Sequence, residues 1–216
     1  MAPSIPNDIY QYSTFSALLK CFNLGQPLTS DLTTHGTFGV GVYEDGSLMN
    51  LLSSTAYLIK ESGTSCPAPA NERLAFAMVT LFEPTHALGL PAISMQDLIE
   101  GVEKKELGDA RAVNSLVSFR VETEFKEIEI EVPERMQTIY GVRGTVFGFV
   151  VPGWMKDICG PRMHAHFLQR EGEEGDRAGG RVVDFETKGA CKVKMAKCGR
   201  FHLGFPQGAE WEDVRL

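Results

Sequence analysis

The chain has 216 residues, 43% hydrophobic and 23% charged, with a formal net charge of −7. That length buries a sizeable core in one or two small domains. The acidic balance excludes nucleic acid and anionic membranes as expected partners. No apolar run is long enough to span a bilayer. The start, Met1-Ala2-Pro3-Ser4-Ile5-Pro6-Asn7-Asp8, lacks the basic and apolar regions of a secretion signal, so a cytoplasmic protein is expected. The cysteines Cys21, Cys66, Cys159, Cys191 and Cys198 are odd in number and show no CxxC spacing. They point to reduced thiols rather than a disulfide framework.

Ser13 suits an N-cap, and Phe15, Leu18, Leu19 and Phe22 follow as one apolar helical stripe that Gly25 can end. A short second helix is expected over Leu28–Thr34. Phe38, Val40 and Val42 alternate with small residues and read as a strand. Asp45-Gly46 is a hairpin signal, with Ser47–Leu52 returning. Ala56–Lys60 is a further strand. Leu74–Phe82 is almost wholly apolar and of strand length, which predicts a strand covered on both faces. Ser94-Met95-Gln96-Asp97 fits a capping box for a third helix with Met95, Leu98, Ile99 and Val102 on its apolar face. Leu116–Val121 and Phe125–Val132 read as two strands. In the second, Ile128, Ile130 and Val132 share one face, and Glu127, Glu129 and Glu131 form a solvated opposite face. The stretch from Val132 to Gly144 reads as a short connection, and Thr145–Val151 as a strand. Arg170–Arg177 reads as a polar turn, and Ala190–Met195 and Arg200–Phe205 as closing strands. The whole implies two β-rich halves with few helices.

The segment Met163-His164-Ala165-His166-Phe167-Leu168 carries the most chemistry. Residues two apart on a strand point to the same face, so both imidazoles can converge on one point. Two such nitrogens suit zinc, given further ligands. They also suit a hydrogen-bonded core pair. Beyond the polar turn, Arg181 opens the next strand, where it can meet His164 and His166 across an antiparallel ladder.

Several stretches together resemble bacterial α-acetolactate decarboxylase. At the front these are Ile9-Tyr10-Gln11-Tyr12-Ser13-Thr14, His35-Gly36-x-Phe38-Gly39-x-Gly41, Asp45-Gly46 and Val79-Thr80-x-Phe82-Glu83-Pro84. At the back they are Gly144-Thr145, Gly148-Phe149, Pro152, His164-x-His166-Phe167-Leu168, Gly179-Gly180, Val183-Asp184-Phe185 and His202-Leu203. The resemblance covers nearly the whole chain. It implies an α/β (α+β) fold of two domains, an N-terminal mixed-sheet domain over residues 1–113 and a C-terminal antiparallel β domain over 114–216. It further implies a homodimer, a zinc ion held by three histidines and decarboxylation of 2-acetolactate to acetoin. The departures fall on the family's working residues. The third zinc histidine is replaced by Arg181, the acid after the Asp-Gly turn by Ser47, and an arginine before the Val-Pro pair by Ile130. The family's carboxyl-terminal tail, with a further active-site glutamate, is largely missing, and its helical connection has no counterpart between Val132 and Gly144.

Arginine is always charged and has no lone pair for a metal. It suits a carboxylate or enolate instead, and a neighbouring histidine suits general acid–base work. The candidate catalytic set is therefore His164, His166 and Arg181. Tyr12, Thr14, Ser47, Glu83 and Ile130 are candidate substrate contacts. His164 and His166 are the metal ligands if a metal binds; otherwise no cofactor is expected. The alternative for Arg181 is a salt bridge to a nearby acid above two packed histidines. The other histidines, His35, His86 and His202, read as structural. Three functions remain open: a diverged lyase, isomerase or cyclase acting on a small carbonyl-rich substrate; a true acetolactate decarboxylase with an unusual ligand set; and a non-catalytic small-molecule-binding protein.

Overall fold

The computed structural model describes residues 6–104, 113–133, 135–172 and 177–216. Strand β1 (Ile9–Tyr12) leads into helix α1 (Phe15–Leu19). Ser13 turns the chain with φ at +64°. A capping residue needs extended φ and ψ, so the cap moves to Thr14, whose hydroxyl accepts from the Ala17 amide at 3.2 Å. Cys21 also turns at φ +59°, which stops the helix well before Gly25. Helix α2 (Thr29–Leu32) is a single turn. Strands β2 (Phe38–Tyr43) and β3 (Leu48–Leu52) make the expected hairpin, with Gly46 at φ +84°. Strands β4 (Thr55–Ile59), β5 (Ser65–Pro67) and β6 (Leu74–Thr80) follow, and β6 is buried at every position.

Strand β7 (His86–Leu90) is hard to see in the sequence because its exposed positions, Ala87 and Gly89, are small rather than polar and blur the alternation. Helix α3 (Met95–Lys104) starts from the expected box, with the Ser94 amide donating to Asp97 Oδ2 at 2.8 Å and the Asp97 amide to Ser94 Oγ at 3.2 Å. Strands β8 (Val117–Val132) and β9 (Arg135–Val150) are 16 residues each and pair in one unbroken register. The two strands expected over Leu116–Val132 are thus one, and the expected connection after Val132 is the first half of β9. That half is mostly exposed, so its hydrophobic alternation is weak; the ladder to β8 holds it. A 3-10 turn (Gly153–Met155), helix α4 (Lys156–Cys159), strands β10 (Met163–Gln169), β11 (Gly179–Thr187), β12 (Cys191–Lys197) and β13 (Phe201–Gly204), and the short helix α5 (Ala209–Glu212) complete the described elements.

The strands form two sheets. The first runs β13-β1-β6-β2-β3-β4-β5, and it is mixed because β1 and β13 are parallel. The second runs β11-β10-β9-β8-β12-β7 and is antiparallel throughout. Strand β11 also pairs with the far half of β8, so β8, β9, β10 and β11 close on themselves. Sheet membership does not follow chain order: β7 crosses into the second sheet and β13 returns to the first. One apolar core runs between the sheets. Phe38 of the first sheet packs edge-on to Phe147 and Phe149 of the second, with ring centroids 5.4 and 5.9 Å apart. No helix among the described residues is long and apolar enough to cross a membrane.

Candidate active site

Both histidines of β10 face the layer between the sheets. His164 lies opposite Phe149 on β9, and His166 lies opposite Phe147 on β9 and Arg181 on β11. The imidazoles are 4% and 1% exposed, with ring centroids 5.8 Å apart. Phe76 of β6 stacks on His164 at 5.7 Å, and Phe15 of α1 meets it edge-on at 6.3 Å. Gly148, at φ +153°, lets β9 press against the His164 carbonyl where a Cβ would collide with backbone.

The hydrogen bonds decide which nitrogen of each ring carries the proton. His164 Nδ1 lies 3.2 Å from the Cys159 carbonyl, which only accepts, so Nδ1 donates. Asn50 of β3 donates its amide to the Phe167 carbonyl at 2.8 Å. That orientation leaves Asn50 Oδ1 as the acceptor 2.5 Å from His166 Nδ1. Both rings therefore carry Nδ1–H and a lone pair on Nε2, and neither Nε2 has a hydrogen-bond partner among the described residues. Burial lowers the His164 pKa to about 4, with the bond to Cys159 opposing the shift. Burial first, and the neighbouring His164 second, hold His166 well below the ordinary range. The pair is neutral at neutral pH.

Arg181 sits directly across from His166 on one side and from Glu131 of β8 on the other. Its guanidinium is ion-paired with Glu131, the two side chains being 39% and 42% exposed. The ladder brings the arginine across from His166, and the carboxylate on the far strand holds its guanidinium.

The other candidates are not brought into this cluster. Ile130 is fully buried in the core on the opposite face of β8 from Glu131, packed where Gly180 leaves room. Ser47 is tied into the β2–β3 turn, its hydroxyl donating to Asp45 Oδ1 at 2.6 Å and its amide at 2.9 Å. Thr14 serves as the α1 cap. Tyr12 is buried, and burial pushes its phenol up to about 12. Glu83 has an exposed side chain, and its backbone is clasped by Asn7, whose amide donates to the Glu83 carbonyl at 2.9 Å and accepts from its amide at 3.0 Å. His202 stands on β13 with Nε2 3.6 Å from Asp8 Oδ2, and His35 stacks on Tyr10 at 3.8 Å. Asn50 and the Cys159 carbonyl are the working neighbours that pattern reading misses. A lone polar residue inside Leu48-Met49-Asn50-Leu51-Leu52 was the available signal for Asn50; a main-chain carbonyl leaves none.

The chain as a whole matches known proteins in sequence and in fold. The family model for alpha-acetolactate decarboxylase matches residues 9–216. The chain belongs to the alpha-acetolactate decarboxylase family. Among its relatives, the alpha-acetolactate decarboxylase of Methanosarcina mazei is 28% identical over all of this chain and 80% of its own length. That of Bacillus subtilis is 26% identical over 97% of this chain and 86% of its own. The crystal structure of the Bacillus subtilis decarboxylase superposes with a TM-score of 0.84 at 23% identity, covering 96% of this chain and 93% of that one. A Staphylococcus aureus protein of unknown function, similar to the decarboxylase, superposes at 0.85 with 20% identity, covering 97% and 94%.

Zinc in this family takes three histidines by the resemblance set out above. Two of its ligand positions are intact here: neutral imidazoles with Nε2 lone pairs and Nδ1 bonded behind are the usual form of metal-ligating histidine. The third position is Arg181, which has no lone pair and lies in an ion pair. Among the described residues no three or more His, Cys, Asp or Glu side chains are grouped to hold a metal. The donor set of this chain does not fit the three-histidine centre.

Proposed function

We propose that this chain is a diverged acetolactate-decarboxylase-like enzyme. Its substrate is a carbonyl-rich keto or hydroxy acid, and its reaction is of lyase, isomerase or cyclase type, run by stabilising an oxyanion or enolate without the family's zinc. The observation that carries the reading is the pair of neutral imidazoles, both presenting Nε2 lone pairs, with an oriented arginine on the adjoining strand. A substrate hydroxyl would donate to a histidine Nε2, which accepts the proton as negative charge develops. When a carboxyl group leaves as carbon dioxide, the bonding pair moves onto the adjacent carbonyl oxygen as an enolate. Arg181 supplies a permanent charge and a planar fork for that oxygen or for a substrate carboxylate. Glu131 keeps the guanidinium oriented before substrate arrives.

The test is carbon dioxide release from 2-acetolactate and from a panel of 3-keto and 2-hydroxy-3-keto acids, with and without a chelator. Turnover that survives the chelator supports the proposal. Acetoin formation that requires added zinc would assign the chain to the family's own reaction, and saturable binding without turnover would make it a binding protein. The proposed setting is the cytoplasm, in keeping with five unpaired thiols. The proposed assembly is a homodimer, for which light scattering gives a mass near twice 23.8 kDa.

A further inference from the structure

The sheet face that carries the histidines continues two strands further and there becomes positively charged. Lys194 on β12 stands directly opposite Arg120 on β8, which in turn stands opposite Phe147 on β9. In the neighbouring row Lys192 opposes Glu122, and Glu122 opposes Thr145. These rows floor an open cleft of about 770 Å³, walled by the β3–β4 turn, Tyr57, Arg170 and Arg177. A space of that size suits a small molecule.

Among the described residues, six cationic and three acidic side chains line the cleft. The chain has 21 basic residues and a net charge of −7. More than a quarter of its cations thus gather at one place on an acidic protein, and among the described lining residues they outnumber the acids.

The cations are also poorly matched to one another. Like charges directly opposite across a ladder repel, and Lys194 faces Arg120 in just that way. Arg120 binds Glu122 through one terminal nitrogen at 3.0 Å, while its Nε is buried with no acceptor. A buried donor of that kind calls for a partner. Lys192, Lys194 and Arg170 have no ion-pair partner among the described residues. Arg177 is held over the Tyr57 ring at 4.6 Å and paired with Glu171 at 3.1 Å, which makes it a fixed cationic wall.

We propose that this cleft binds a small organic anion carrying at least two negative charges, a phosphate ester or a polycarboxylate. Arg120 and Lys194 grip one anionic group, and Lys192 and Arg170 the other. The anion relieves the Lys194–Arg120 repulsion. Phe147 separates the cleft from His166 by two strand spacings, roughly 10 Å. The site therefore stands whether or not the reaction proposed above is correct.

Calorimetric titration of the whole protein at low salt, with pyrophosphate and citrate as probes and acetate as the monovalent control, tests it. The expected result is saturable binding of one probe per chain, weakened by added salt. Lys194→Gln should weaken it roughly tenfold, and Lys192→Gln with Lys194→Gln should weaken it further. Glu122→Gln removes an acid that competes for Arg120, so it should tighten binding severalfold. Lys192 is exposed and Lys194 half-buried, and unchanged melting of the variants shows that they fold. Preference for pyrophosphate assigns a phosphate ligand, and preference for citrate a polycarboxylate. No saturable heat at about 10 mM probe, acetate binding as well as either probe, or equal binding by the doubly substituted chain overturns the proposal.

Discussion

Arg181 stands directly across the ladder from His166, yet its guanidinium is paired with Glu131 on the strand beyond. An ion pair this exposed contributes about 0–1 kcal/mol of stability. Arg181→Ala should therefore shift the melting temperature little. If the arginine meets developing negative charge, the same change should cut turnover roughly a hundredfold or more. Arg181→Lys should also be impaired, because lysine loses the planar fork. Turnover and melting measured on the same preparations decide the matter, and unchanged turnover in Arg181→Ala removes the arginine from the mechanism.

Arg181→His would place a third imidazole opposite His166. The native chain, dialysed against zinc and then against buffer, should retain well under one zinc per chain. The Arg181→His variant should retain clearly more, and His164→Ala in that background should abolish the gain. Elemental analysis reads all three. Stoichiometric zinc in the native chain, lost on His164→Ala, would overturn the account of the missing ligand.

Asn50 binds the His166 ring and the Phe167 carbonyl at once, from a position that is 0% exposed. Asn50→Ala leaves two buried polar groups unpaired, each costing about 1–3 kcal/mol. Urea unfolding should show a loss of roughly 2–6 kcal/mol, against a small effect at the exposed Arg181–Glu131 pair. It should also free the His166 tautomer, visible in imidazole nitrogen shifts by NMR. A loss under about 1 kcal/mol would mean that water replaces the amide.

His164 has its folded pKa depressed to about 4 by burial, against an unfolded value near 6.5. The unfolded chain thus takes up a proton that the folded chain refuses. Stability from this residue is full above pH 6.5 and is lost as pH falls toward 4, on the order of 3 kcal/mol. His166, shifted the same way, adds to the loss. Melting temperature should fall across that window, and His164→Phe should flatten the fall. A flat native profile between pH 6.5 and 4 would show that the imidazoles are solvated.

The local signals were legible because they need only near neighbours in the chain. Asp45-Gly46 makes its hairpin through turn chemistry, Ser94 and Asp97 cap α3 across three residues, and Leu74–Thr80 is apolar enough to be central in any sheet. His164 and His166 share a face because side chains on a strand alternate. The rest depends on distant parts of the chain meeting. The first half of β9 is a strand because β8 pairs with it, although its own residues are largely exposed. Strand β7 belongs to the second sheet because β12 offers it a ladder. The proton on His166 is set by Asn50, 116 positions away in the sequence. The partner of Arg181 is set by which strand closes the β8–β11 ring, and that closure puts Glu131 at its side. Thr14, Ser47 and Glu83 have the chemistry of substrate contacts. The tertiary structure spends Thr14 on a helix cap and Ser47 on a turn, and leaves the Glu83 side chain in solvent. Hydrogen bonding between strands and burial between sheets are non-local, so residue type and spacing alone do not contain them.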